Sequence, residues 1–223
     1  SLLTGEKLEF ADSEIEQFKK ERIARALRKQ FKGIIDTLGL KSNDYKTRLA
    51  LFDAASGKSW TFQEMQRHLD TLPQATAPLF PCSGSVDLIF EVLRGWRDGQ
   101  VVCPLENPEE FAPNLDGVPD GFAHIKIAFG SRRRPRMILF KELQLLADAS
   151  NIVQTMGLRA DWPNIGVVSM AHSYGFSNLI LPLLLFGIPL RFAGDPLPGS
   201  VRAAMEGEKG VTLPAVPAMW KVW

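Results

Sequence analysis

Between residues 85 and 213 the hydrophobic period changes repeatedly, and this alternation constrains the fold more than any other feature of the chain. Helical spacing over 85–96 gives way to short apolar runs at 101–105 and 124–129, and helical spacing returns over 140–156. The pattern then repeats as strand 165–170, helix 174–186, strand 189–193, helix 200–206 and strand 210–213, with turns marked by Gly or Pro. Strands separated by helices require crossover connections, which bring successive strands together in parallel. The expectation is an α/β fold in which these five strands join one largely parallel sheet flanked by helices.

Upstream, residues 12–38 place Ile15, Phe18, Ile23, Leu27, Phe31, Ile34, Ile35 and Leu38 at helical spacing. This predicts an N-terminal long helix, opened by a Ser13/Glu16 capping box and closed by Gly39. Glu14, Glu16, Glu21 and Asp36 interrupt its basic residues, so that face reads as solvated surface. Segments 48–53 and 59–62, around Ser56-Gly57-Lys58, predict a β-hairpin presenting Trp60 and Phe62. Thr61, with Glu64 three positions on, caps a second helix that runs to about Leu72 and ends in a Pro-rich loop. The chain thus divides into a helical N-terminal lead, 1–47, and an α/β body, 48–223.

Charge and rare residues exclude several function classes. With 26 Lys and Arg against 25 Asp and Glu, no overall field favours nucleic acid or an anionic membrane. The apolar run 179–192 is interrupted by Pro182, Gly187 and Pro189, so no membrane span is expected. Cys82 and Cys103 stand without a secretory signal pattern, which predicts a reducing, cytoplasmic setting with both thiols in the core or at its edge. His68, His124 and His172 fall on separate elements, so no metal site is expected. Ser173 lies outside a Gly-x-Ser-x-Gly elbow and His172 has no acidic neighbour in sequence, which argues against hydrolase chemistry.

The most informative segment is Val167-Val168-Ser169-Met170-Ala171-His172-Ser173-Tyr174-Gly175-Phe176, followed by the apolar stretch to Gly187 and the strand 189–193. It resembles the strand, His-Ser-Tyr-Gly-like turn and apolar helix of the adenylate-forming superfamily, the AMP-dependent synthetases and ligases that include acyl-CoA synthetases. Other pieces follow in that family's order. Ser59-Trp60-Thr61-Phe62-Gln63-Glu64-Met65 resembles its Thr-Tyr-x-Glu-Leu element, and Gly95-Trp96-Arg97-Asp98-Gly99-Gln100-Val101-Val102-Cys103-Pro104-Leu105 its Ala-Gly-x-x-x-x-Pro-Leu element. Val211-Thr212-Leu213-Pro214-Ala215-Val216-Pro217 resembles its following Val-Thr-x-x-x-x-Pro element. The likeness covers nearly all of residues 48–223 and implies the N-terminal portion of the family's fold.

The resemblance also implies a chemistry. A small carboxylic acid attacks the α-phosphate of ATP, with Mg2+ on the phosphates, and the acyl-adenylate passes its acyl group to coenzyme A or a carrier thiol. The family's adenine and ribose contacts and catalytic lysine fall beyond residue 223. The chain is therefore expected to be truncated, to need the remainder of the adenylating enzyme as partner, and to be inactive alone. No catalytic residue is assigned within it.

Two sites are implied. The family's phosphate loop, a Thr-Ser-Gly-Thr-Thr-Gly-x-Pro-Lys-Gly-like run, corresponds to Gly130, Ser131, Arg132, Arg133, Arg134, Pro135 and Arg136, between the strand ending at Phe129 and a helix near Phe140. Arg136 stands where the family has Lys, and three arginines replace small residues. The run either binds phosphate through guanidinium groups or is a solvated loop whose earlier role has lapsed, which would leave a binding or interaction module. The second site is the acyl-substrate pocket at His172, Tyr174 and Gly175, for which the alternative is that His172 caps the following helix.

Overall fold

The computed structural model describes residues 46–107, 113–115, 118, 121–129 and 135–223, without the side chains of Phe129 and Pro135. The predicted helix 12–38 and the loop residues Gly130, Ser131, Arg132, Arg133 and Arg134 lie outside the described residues. Strands β1 (Leu49–Asp53) and β2 (Lys58–Thr61) form the predicted antiparallel hairpin. Asp53 stabilises its turn, its carboxylate accepting from the Ser56 hydroxyl at 2.6 Å and the Ala55 amide at 3.2 Å.

Helix α1 (Phe62–Thr71) starts at the expected capping box. The Thr61 hydroxyl accepts from the Glu64 amide at 3.2 Å, and the Glu64 carboxylate accepts from the Thr61 amide at 2.7 Å. Each bond satisfies a donor that a helix start leaves unpaired. Thr61→Ala is therefore expected to cost about 1 kcal/mol, read as a lowered midpoint in urea unfolding. An unchanged midpoint would show that the box contributes nothing.

Helix α2 (Asp87–Arg97) buries Leu88, Ile89, Val92 and Leu93 and ends where Arg97 and Asp98 fasten the Pro-rich loop. The Arg97 guanidinium donates to the Leu69, Leu72 and Pro73 carbonyls, and the Asp98 carboxylate accepts from the Ala75 amide at 2.7 Å. Further along the chain come β3 (His124–Phe129), β4 (Pro135–Phe140), α3 (Glu142–Thr155) and β5 (Asn164–Gly166). A turn leads to α4 (Ser173–Gly175), which passes without a break into a π-helical stretch (Phe176–Ile180) and α5 (Leu181–Phe186). Gly187, at φ +64°, supplies the left-handed residue that ends this helix. Strand β6 (Leu190–Phe192) and helices α6 (Pro198–Met205) and α7 (Pro217–Val222) complete the described chain.

The fold is α/β, with a mostly parallel sheet flanked by helices and an antiparallel hairpin. Its strand order is β2-β1-β6-β5, in which β6 pairs in parallel with both β1 and β5. The expectation that five strands share one sheet needs correction. Residues 135–140, read from sequence as the end of a loop and the start of a helix, form β4, and β4 pairs antiparallel with β3 in a separate two-stranded sheet.

The run 101–105 is not a full strand. Its backbone alternates hydrogen bonds with residues 79–83 and 123–125, but Pro81 and Pro104 lack amide donors, leaving isolated parallel bridges at Leu79–Val102, Cys82–Leu105 and Val102–His124. Likewise 210–213 contributes one parallel bridge, Asn164–Thr212.

One large core lies around the four-stranded sheet, with Leu51, Ile89, Ile165, Leu179, Leu181, Leu183 and Leu190 at most 1% exposed. A smaller cluster of Cys103, Leu105 and Ile125 packs beneath one face of the β3–β4 hairpin. Both cysteines are free thiols. Among the described residues no helix is long and apolar enough to cross a membrane.

Candidate active site at the hairpin and the His172 turn

Alternation along β3 sends Ile125 and Ile127 toward the small core and His124 and Lys126 toward α3 and the π-helical stretch. Antiparallel pairing sets Arg136 opposite Ala128, at the end of β4 next to the loop, where its guanidinium is exposed. Helix α3 begins six residues after Arg136, at the far end of β4, so Arg136 is not at that helix's N-terminus.

The second site lies beyond the carboxyl end of β5, where an open parallel sheet places ligands. Ser169 holds this turn to two neighbouring segments. Its hydroxyl donates to the Glu106 carboxylate at 2.6 Å and lies 2.9 Å from the Ser83 hydroxyl. The His172 Nδ1 accepts from the Tyr174 amide at 3.2 Å, so the imidazole is the N-cap of α4. The His172 side chain remains exposed and Tyr174 is 37% exposed, so both rings face outward from the turn. Gly175 is buried, and a Cβ there would run into the Ser169 carbonyl.

Three polar residues that no sequence pattern singled out connect the two sites. The Lys126 Nζ donates to the Ser177 hydroxyl at 2.8 Å, Ser177 donates to the Asp148 carboxylate at 2.6 Å, and Lys126 and Asp148 form an ion pair at 3.9 Å. Lys126 also lies over the rings of Phe140 at 4.8 Å and Phe176 at 5.7 Å. Burial holds its ammonium below the ordinary lysine range, and Asp148 opposes that shift.

His124 is fully buried, stacked on Phe176 with ring centroids 4.1 Å apart and in edge contact with Trp96. Neither of its nitrogens has a hydrogen-bond partner. Burial, with a smaller contribution from the Lys126 charge, pushes its pKa down to about 3. The available signal was the pair of polar residues at alternate positions of an otherwise apolar strand. Asp148 and Ser177 gave none, because only folding brings them to Lys126.

Among the described residues no group of three or more His, Cys, Asp or Glu could hold a metal ion.

No protein-family model matches the sequence, and no curated protein matches it. Solved structures do match in fold. Inhibitor-bound N-terminal domain of FACL13 from Mycobacterium tuberculosis superposes at TM-score 0.65 with 12% identity, over 89% of this chain and 64% of that one. ATP-bound MatB from Rhodopseudomonas palustris gives 0.64 with 16% identity, over 86% and 50%. The O-succinylbenzoate coenzyme A synthetase MenE from Bacillus subtilis, in complex with AMP, gives 0.62 with 11% identity, over 78% and 59%. The chain thus spans between half and two thirds of the length of these structures. At such identities the likeness is one of architecture: the chain carries the fold of the N-terminal part of adenylate-forming enzymes.

Proposed function

We propose that the chain is part of an AMP-forming acid–thiol ligase that activates a small carboxylic acid as its acyl-adenylate. The observation that carries this reading is a hairpin strand that opens with the exposed Arg136, together with a turn at the carboxyl end of β5, in a fold shared with structures holding ATP and AMP. The substrates are ATP and the acid. The carboxylate oxygen attacks the α-phosphorus, the bond to the β-phosphate oxygen breaks, and pyrophosphate leaves. Coenzyme A or another thiol then attacks the acyl carbon and AMP leaves.

Arg136, with Arg132, Arg133 and Arg134, binds phosphate oxygens through charge-assisted hydrogen bonds in place of the backbone amides of a glycine-rich loop. His172 and Tyr174 line the acid's side, and Gly175 keeps the turn tight against Ser169. Mg2+, when bound on the ATP phosphates, would neutralise charge there. The remainder of the enzyme supplies the nucleoside contacts. Two free thiols fit work in a reducing compartment, the cytoplasm.

A second reading is a catalytically lapsed relative that serves as a binding or interaction module. It is favoured by the bulk of Arg132, Arg133 and Arg134, where small residues would leave room for phosphate oxygens.

Titration of ATP against the chain and against an Arg133→Ala/Arg136→Ala variant separates the two. Each lost direct contact costs about 1.5–3 kcal/mol, so the double variant is expected to bind ATP at least roughly 100-fold more weakly. Wild-type affinity should also fall as salt rises. Equal affinities, or no binding by the wild type, would overturn the first reading in favour of the second.

A further inference from the structure

We propose that Lys126 is a positioning residue that locks the hairpin β3–β4 to the His172 turn through Ser177 and Asp148; naming these the phosphate and acid sides rests on the function proposed above. Lys126 stands between Ile125 and Ile127 in mid-strand and is 8% exposed. Stability alone gives no reason for a lysine there. The faces of Phe140 and Phe176 would receive an apolar side chain, and replacing a buried ion pair by apolar residues is often neutral or stabilising. An ammonium adds direction, because its bond to Ser177 fixes where β3 lies along the π-helical stretch.

From that point hydrogen bonds lead both ways. Ser177 and Asn178 are consecutive residues of the π-helical stretch. The Asn178 amide group donates to the Tyr174 carbonyl at 2.8 Å, and the Tyr174 amide donates to His172 Nδ1. On the hairpin side Lys126 is paired across the ladder with Ile138, two positions from Arg136. Asp148 brings in α3, the helix that follows β4. A π-helical turn is a costly deviation that proteins tend to keep where function needs it. Here it carries the residue that receives the lysine.

The test uses Lys126→Met, which keeps the stem and removes the charge, and Ser177→Ala. Amide hydrogen exchange of the 223-residue chain, measured by mass spectrometry, is the readout. Amides of residues 136–140 and of 174–178 are expected to exchange faster together, by roughly tenfold, while those of β1 and β6 keep wild-type rates. Melting temperature should stay within about 4 °C of wild type. The double variant should exchange no faster than either single one, since the two residues act as one unit.

Faster exchange confined to the hairpin, acceleration spread over β1 and β6, or additive effects in the double variant would each overturn the proposal. Where Lys126→Met does not fold, Ser177→Ala decides by the same pattern. ATP affinity is measured alongside and is expected to fall about tenfold in Lys126→Met. A wild type that binds no ATP removes the proposed function, while the exchange pattern still decides whether Lys126 couples the two elements.

Discussion

Gly175→Ala is expected to destabilise the protein by about 3 kcal/mol, the upper end of the cost of forcing extra atoms into a packed site. A Cβ at this position would fall well inside contact distance of the Ser169 carbonyl oxygen, 2.8 Å from its carbon and 3.2 Å from the Val168 Cγ2. The opposing atoms are mainly backbone. They cannot rotate away, and they belong to the turn that Ser83 and Glu106 hold through Ser169. For a chain of this size the loss corresponds to a melting temperature lower by roughly 6–12 °C in a circular-dichroism melt. Gly199→Ala is the control, because a Cβ there meets nothing within 4 Å. A Gly175→Ala protein that melts with the wild type would show that the turn yields easily.

Acidification from pH 7 to pH 4 should remove about 3 kcal/mol of stability through His124 alone. Its pKa is about 3 in the folded protein against 6.5 for the free side chain, so between these values the unfolded chain binds a proton that the folded chain refuses. Stability is therefore complete above pH 6.5 and declines as pH falls toward 3. The cause is burial first and the Lys126 charge second. His124→Leu abolishes this share while the carboxylates continue to titrate, so the difference in slope between wild type and variant isolates it. Parallel curves of urea-unfolding free energy against pH would refute the assignment. The same substitution removes two buried nitrogens that have no partner, and removing unsatisfied polar atoms favours the folded state.

Both predictions concern residues whose importance differs in how far it could be read in advance. Gly175 lies in the segment 167–176 that carried the family resemblance, yet its close approach to Ser169 is a tertiary distance. In sequence His124 is only a histidine on a different element from the other two. Its burial against Phe176 and Trp96 depends on how β3 lies over the π-helical stretch. The loop at Gly130 to Arg136 was legible as an arginine run in the place of a phosphate loop. Its setting was not, because residues 135–140 form an almost continuous apolar run just before a helix, and period alone does not separate such a run from a helix start. Pairing with residues 124–129 makes it a strand.

The sequence by itself determined the local grammar of this protein. Thr61 and Glu64 cap α1, Gly187 ends α5, and alternating strand and helix periods give an α/β body, because each of these rests on residues within a few positions of one another. Only the tertiary structure decided how the strands divide between two sheets, and that Pro81 and Pro104 reduce 101–105 to isolated bridges. It alone brought Lys126, Asp148 and Ser177 to one point between the candidate sites. The physical reason is separation along the chain. Strand pairing and buried polar contacts join residues tens of positions apart, and no periodicity within either segment records which distant partner satisfies its hydrogen bonds.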